Sequence, residues 1–361
     1  MKDKEIETIL YAGMGILLAL VLFNVFTVPQ VSESFKAKLE EVKLASASPK
    51  VDLVLIDSSC KECVTASGTE ANLKNSDLNI LSETRLKADS AAAKELIVEL
   101  GIKRLPAIVL KGEVERVNAN GFEERGETLV FDKPTAPYED TGSGKTVGKV
   151  VAIILEADEC EVCADVSYFI DSLTENGVFV GEEKAVGYAT DEGKELTTTY
   201  SIGKAPALLL SDDIDAYPLI LDSLKSAGLQ AESGYYIIES APPYIDVTNG
   251  ETKGLIDIIY LADESCENCY DVMVHKNILG RFAVAIGEEQ TIDVSSTEGA
   301  DLIQDYNIGK VPAIVLKGEL SIYPSFESIW MQRLGTREED GSYVFREMAA
   351  LGKGIEFKEL G

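Results

Sequence analysis

A Cys-x-x-Cys pair occurs three times in this chain, and each pair is followed at a constant distance by a short apolar segment that opens on proline. Cys60-Lys-Glu-Cys63 precedes Arg104-Leu-Pro106-Ala-Ile-Val-Leu110. Cys160-Glu-Val-Cys163 precedes Lys204-Ala-Pro206-Ala-Leu-Leu-Leu210, and Cys266-Glu-Asn-Cys269 precedes Lys310-Val-Pro312-Ala-Ile-Val-Leu316. From second cysteine to proline the distance is 43 residues every time, and successive pairs lie 100 and 106 residues apart. A fixed internal period makes each period one structural unit. The three pairs account for all 6 cysteines, so thiol chemistry is the question the chain poses.

Three periods of about 100 residues are each long enough to enclose a core of their own. A composition that is 45% hydrophobic and 26% charged is that of globular domains rather than of a disordered chain. The 62 Asp and Glu outnumber the 33 Lys and Arg, giving a formal charge of −29. That balance excludes nucleic acid as a partner, because phosphate contacts need clustered basic residues. The acidic surface is read first as a solubility feature, with salt tolerance and loose cation binding as the other uses.

Residues 9–29, from Ile9 to Pro29, contain no charged side chain. A run of about 20 such residues crosses a bilayer as a helix. A cleaved signal peptide is the rival, but it needs a small-residue cleavage site close behind the apolar core. The A-x-A at Ala45-Ser-Ala47 lies well downstream, so an uncleaved anchor is expected. Phe35, Leu39 and Val42 then fall at helical spacing and extend the helix into a stalk. Lys2 and Lys4 precede the span while Lys36, Lys38 and Lys43 follow it, so flanking charge does not set orientation. The short N-terminal tail, and cysteines arranged only as pairs, favour a cell-membrane protein whose bulk lies on the oxidising, extracytoplasmic side.

The third period shows the unit pattern best. Leu255–Leu261 reads as a strand buried on both faces, Ala262–Ser265 as a polar loop, and Cys266 as the start of a helix. Phe282–Ile286 reads as a second strand. A helix carrying Leu302, Ile303 and Tyr306 follows and stops at Asn307-Ile-Gly309, and Pro312 opens a third strand over Ala313–Leu316. Trp330 and Leu334 belong to a closing helix, and Asp340-Gly341 turns into a strand at Tyr343–Phe345. Strands alternating with helices imply an α/β unit with a mixed sheet.

A strand, a Cys-x-x-Cys at a helix start, and Tyr306-Asn-Ile-Gly-Lys-Val-Pro312-Ala-Ile-Val-Leu-Lys-Gly318 resemble the thioredoxin superfamily. The second period keeps Tyr200-Ser-Ile-Gly-Lys-Ala-Pro206 and the first Leu100-Gly-Ile-Lys-Arg-Leu-Pro106, so the resemblance covers about residues 48–350. It implies that Pro106, Pro206 and Pro312 are cis, face the dithiols and form the substrate-binding loop. The expected fold is α/β: three tandem thioredoxin-like domains, each a mixed sheet flanked by helices, after one N-terminal transmembrane helix. The organisation then runs as a tail over 1–8, the transmembrane helix over 9–29 and a stalk over 30–48. Domains follow over 49–133, 149–240 and 255–350, with linkers over 134–148 and 241–254 and a C-terminal tail over 351–361. Two departures weigh against fast thioredoxin-like turnover. Ser59, Glu159 and Ser265 stand where that family usually has Trp, with no Pro inside any pair. Val54, Ile154 and Tyr260 stand where thioredoxin buries a proton-accepting acid.

Cysteines at i and i+3 can meet on a first helical turn, where unpaired N–H groups favour a thiolate. Cys60, Cys160 and Cys266 are then the attacking sulfurs, and Cys63, Cys163 and Cys269, one turn deeper, resolve the mixed disulfide. A permanently oxidised staple is the alternative, though so short a loop adds little by chain entropy. A metal site is not expected, because structural zinc needs four ligands and these pairs lie on separate domains. His275 is read as a surface or packing residue. Lys61, beside Cys60, makes the first pair the candidate for the most reactive, whereas the acids at Asp158, Glu159, Asp263 and Glu264 stabilise the other two disulfides. Arg104, Lys204 and Lys310 favour the thiolates. Thr141-Gly-Ser-Gly-Lys145-Thr146 has part of the spelling of a phosphate loop, but Glu139 replaces its first glycine. Both linkers carry Pro-Tyr followed by an acid, at Pro137-Tyr138 and Pro243-Tyr244.

The expected function is membrane-anchored thiol–disulfide exchange on protein thiols and disulfides, by analogy with multidomain disulfide isomerases. No cofactor is called for, and recycling would fall to a membrane disulfide oxidase or a reductant carrier. The alternative is a non-catalytic acidic scaffold or surface-assembly protein that binds cations, the use calsequestrin makes of three such domains.

Overall fold

The molecule is described by a computed structural model that covers residue 14 and residues 36–39, 47–226 and 228–360. Apart from residue 14, the expected span over 9–29 lies outside the described residues, as does most of the stalk. Among the described residues no helix is long and apolar enough to cross a membrane.

Lys50–Asp57 is an inner strand of the first repeat, and Val51, Leu53, Leu55 and Ile56 on it are all buried. It pairs in parallel with Asn79–Lys87 and antiparallel with Ala107–Gly112. Thr128–Phe131 and Glu123–Arg125 complete a five-stranded mixed sheet. The helices Ser67–Lys74 and Ala91–Leu100 connect the strands. The inner strands are near-continuous apolar runs because both of their faces are covered. Asn79–Lys87 is mostly exposed and carries Glu83, Arg85 and Lys87, as a solvated sheet edge should.

The same strand order recurs twice. In the second repeat it runs Val180–Gly187, Val150–Glu156, Ala207–Ser211, Tyr235–Glu239, Gln230–Glu232; in the third, Ala285–Asp293, Leu255–Ala262, Ala313–Lys317, Tyr343–Phe345, Gly335–Arg337. The chain divides into two compact units, residues 1–134 with 138–145, and residues 135–137 with 146–361. The first repeat makes up one unit, and the other two lie in the second.

The second strand of the third repeat departs from expectation. It occupies Ala285–Asp293, whereas Phe282 caps the preceding helix Val274–Arg281. Ala283 adopts φ 55° and turns the chain out of that helix. The strand is an edge rich in Glu288, Glu289 and Gln290, so it lacks the apolar pattern that would have marked it.

The repeats also differ at the segment after the proline strand. The second has the helix Pro218–Ser226 and the third Pro324–Ile329, continued by a wider turn over Trp330–Leu334. The first has only the short 3-10 turn Val114–Arg116. An open groove of about 770 Å³ occupies that flank, with Leu73, Leu78, Val117 and Phe131 in its walls. In the other two repeats a tyrosine stands where Val117 does. Tyr217 donates to Gly148 O at 2.7 Å and accepts from Phe179 N, while Tyr323 donates to Gly254 O at 2.6 Å and accepts from Ala285 N.

Candidate dithiol sites

Each Cys-x-x-Cys is closed as a disulfide with Cα atoms 5.4 Å apart. The pairs lie on turns that precede the helices rather than on first helical turns, since the helices begin at Ser67, Tyr168 and Val274. The expected helix start is thus not what forms, and in the second and third repeats side-chain chemistry gives the reason. The Asp165 carboxylate accepts from Ser167 N at 2.7 Å, and that of Asp271 from Met273 N at 2.9 Å. Such local bonds hold the backbone in a turn that competes with the helix. The helix dipole is therefore displaced from the sulfurs, and all six cysteines are half-buried instead of one of each pair lying a turn deeper.

The peptide bonds Leu105-Pro106, Ala205-Pro206 and Val311-Pro312 are cis, as expected, and Ala136-Pro137 and Pro242-Pro243 are cis as well. Pro206 shares a cleft of about 380 Å³ with Cys160 and Cys163, and Cys269 Sγ lies 3.9 Å from Val311 O. In these two repeats the proline loop faces the dithiol.

The two residues before each of these prolines pair with a segment from beyond the sheet. Arg104 and Leu105 pair with Asp140 and Glu139, Lys204 and Ala205 with Asp246 and Ile245, and Lys310 and Val311 with Glu359 and Lys358. One further bond extends each pairing: Thr141 N to Lys103 O, Val247 N to Gly203 O, and Leu360 N to Gly309 O, at 3.0, 3.1 and 2.9 Å. A cation rests on an aromatic ring at each place, Arg104 on Tyr138 at 4.5 Å, Lys204 on Tyr244 at 4.9 Å and Lys310 on Phe357 at 5.2 Å. The basic residues expected to act on the thiolates thus lie against these rings. The repeated Pro-Tyr-acid signature was the sequence trace of this pairing in two repeats. Residues 351–361 gave no such signal in the third, because Phe357 there has no proline before it.

Charges around the three turns differ. In the first, Glu139 Oε2 accepts from Ser58 Oγ and Ser59 Oγ at 2.8 Å and from Ser59 N at 2.6 Å. Burial raises the pKa of its carboxyl, but these bonds outweigh that and hold it below the usual range. In the third, Lys358 Nζ meets Asp263 at 2.7 Å, and this lysine together with Ser265 depresses the Asp263 pKa. His275 is packed inside the third repeat, 3% exposed, where burial pushes its pKa down to about 4. Tyr270, next to Cys269, donates to Pro312 O at 2.8 Å and meets His275 Nε2 at 3.0 Å. With the tyrosine proton committed, the imidazole carries its hydrogen on Nε2.

At the position of thioredoxin's buried acid, Tyr260 is 1% exposed and donates to Glu289 at 2.9 Å. Residues 141–145 form a tight turn in which Asp140 accepts from Ser143, not a phosphate cradle. Among the described residues no group of three His, Cys, Asp or Glu is placed to hold a metal ion.

Sheet order, a dithiol turn after the first inner strand and a cis proline opening the strand beside it define three thioredoxin-like units. No family model and no curated protein matches the chain. Among solved structures, the alkylhydroperoxide reductase protein AhpF of Enterococcus faecalis is 18% identical over 49% of this chain and 88% of its own, with a TM-score of 0.16. A protein disulfide oxidoreductase of Aeropyrum pernix is 14% identical over 49% and 83%, with a TM-score of 0.15. Human ERp44 is 10% identical over 89% and 98%, also with a TM-score of 0.15. Likenesses of this size carry no argument, and the assignment rests on the chain's own geometry.

Proposed function

We propose that this chain is a thiol–disulfide oxidoreductase or isomerase acting on protein disulfides from the extracytoplasmic face of a membrane. The observation that supports it most is the threefold pairing of a half-buried Cys-x-x-Cys with a cis-proline loop. Cys60, Cys160 and Cys266 attack, and Cys63, Cys163 and Cys269 resolve the mixed disulfides, which needs no metal or organic cofactor. Domains over 49–133, 149–240 and 255–350 carry the chemistry, and residues 9–29 anchor them. A membrane disulfide oxidase or a reductant carrier resets the dithiols.

The test is turnover of a scrambled disulfide substrate by the full chain and by variants that keep one pair, with serine in the other four cysteines. Each active pair should support turnover that stops when its first cysteine is also replaced. If no single-pair variant turns over this substrate or reacts with a small disulfide, the disulfides are structural staples. An impermeant thiol reagent applied to reduced intact cells checks the orientation: labelling seen only after lysis would place the domains on the other side.

A further inference from the structure

The strand edge beside each dithiol is already occupied by the chain itself. Leu105, Ala205 and Val311, the residues before the three cis prolines, pair with Glu139, Ile245 and Lys358. An open edge next to a disulfide is where an extended peptide would add as a further strand and gain main-chain hydrogen bonds. Here that edge is filled in triplicate, and each covering segment is fastened by more than its pairing. A cation stacks on its aromatic residue in every repeat. Glu139 binds Ser58 and Ser59 in the first. Pro243 O accepts from Ala164 N at 3.4 Å in the second. In the third, Glu356 O accepts from Tyr270 N at 3.0 Å and Lys358 binds Asp263. All six cysteines nonetheless stay partly exposed, and the second repeat shows a way in to its sulfurs. The cleft of about 380 Å³ at Cys160 and Cys163 is of the size that takes a small molecule. Its acidic rim of Glu156, Asp158 and Asp165 favours a neutral or cationic one.

Building on the exchange chemistry proposed above, we infer that with these segments in place the dithiols exchange with low-molecular-weight thiols and disulfides. A protein strand reaches them only when the covering segment is displaced. The reaction balances with a small disulfide RSSR as oxidant. The Cys266 thiolate attacks one sulfur of RSSR, the S–S bond breaks and one RS⁻ leaves. The Cys269 thiolate then attacks Cys266 Sγ, expels the second RS⁻ and closes the internal disulfide. The dithiol gives up two electrons, its two protons pass through water to the two RS⁻, and RSSR becomes two thiols.

The test uses the full chain with only Cys266 and Cys269 retained, reduced, and oxidised either by cystamine or by a disulfide-linked pair of cysteine heptapeptides. The parent should react at least about tenfold faster with cystamine. Lys358→Pro, which removes the amide hydrogen facing Val311, should raise the heptapeptide rate about tenfold or more and leave the cystamine rate within about twofold. Lys358→Met loses the Asp263 contact but keeps the backbone pairing, and its heptapeptide rate should lie between those of the parent and Lys358→Pro. Equal parent rates with the two oxidants, or an unchanged heptapeptide rate in Lys358→Pro, would overturn the inference. If neither oxidant reacts, the exchange chemistry itself fails, and calorimetric titration with the serine version of the heptapeptide still decides the covering. Binding to Lys358→Pro and not to the parent supports it. Binding to both, or to neither, refutes it.

Discussion

The carboxylate of Glu139 lies 2.6 Å from the amide nitrogen of Ser59, the residue before Cys60. An acid from beyond the first sheet therefore holds the entrance to the first dithiol and puts a negative charge there. The sequence pointed to Lys61 as the local influence; the fold supplies Glu139 as well. A thiolate is disfavoured next to an anion, so Glu139→Gln should make the Cys60–Cys63 disulfide easier to reduce, by about 20 mV. Titration of the single-pair chain against glutathione measures it. A potential that becomes more negative would contradict this account.

Tyr323 serves two backbone groups at once, donating to Gly254 O and accepting from Ala285 N. Tyr323→Phe leaves both without a partner in a buried setting and should cost about 1–3 kcal/mol. Val117→Tyr in the first repeat has no matching helix to lean on and should gain nothing. Urea unfolding of both variants gives the comparison.

His275 makes the third repeat acid-sensitive. Its folded pKa of about 4 lies below the ordinary value of 6.5. The unfolded chain therefore takes up the proton first. Its contribution to stability is complete above pH 6.5 and is lost as pH falls from there towards 4. The shift corresponds to about 3 kcal/mol. His275→Phe, which keeps the packing against Phe345, should flatten unfolding free energy across that window. An unchanged slope in the variant would assign the acid sensitivity to other groups.

Trp330 is 1% exposed, clustered with Phe326, Tyr343 and Phe345, and is the single tryptophan of the chain. Its fluorescence thus reports unfolding of the third repeat alone. Trp330→Phe should lower the stability of that repeat by about 1–3 kcal/mol and leave the first two unaffected, because each repeat packs its own core. Differential scanning calorimetry resolves the transitions. A uniform shift of every transition would mean that the cores are coupled.

The sequence by itself determined the repeat and the strands that precede each dithiol, because those signals are local, while the cis prolines followed from the resemblance to the thioredoxin superfamily. An apolar run buried on both faces, such as Val150–Glu156, states its own environment, and the constant 43-residue spacing tied each dithiol to its proline. It misjudged Ala285–Asp293, an edge strand whose exposed residues carry no apolar pattern. It also placed the cysteines on helices, because i, i+3 spacing fits a turn as well as a helix, and in the second and third repeats the Asp165 and Asp271 bonds favour the turn. The tertiary structure alone decided what covers each site. Leu105 meeting Glu139, and Val311 meeting Lys358, are main-chain pairings between residues 34 and 47 positions apart. Backbone hydrogen bonds are open to almost any residue, so such pairings leave little mark on side-chain identity. Where an aromatic under a cation left one, at Tyr138 and Tyr244, the sequence showed that something repeated without showing what it touched.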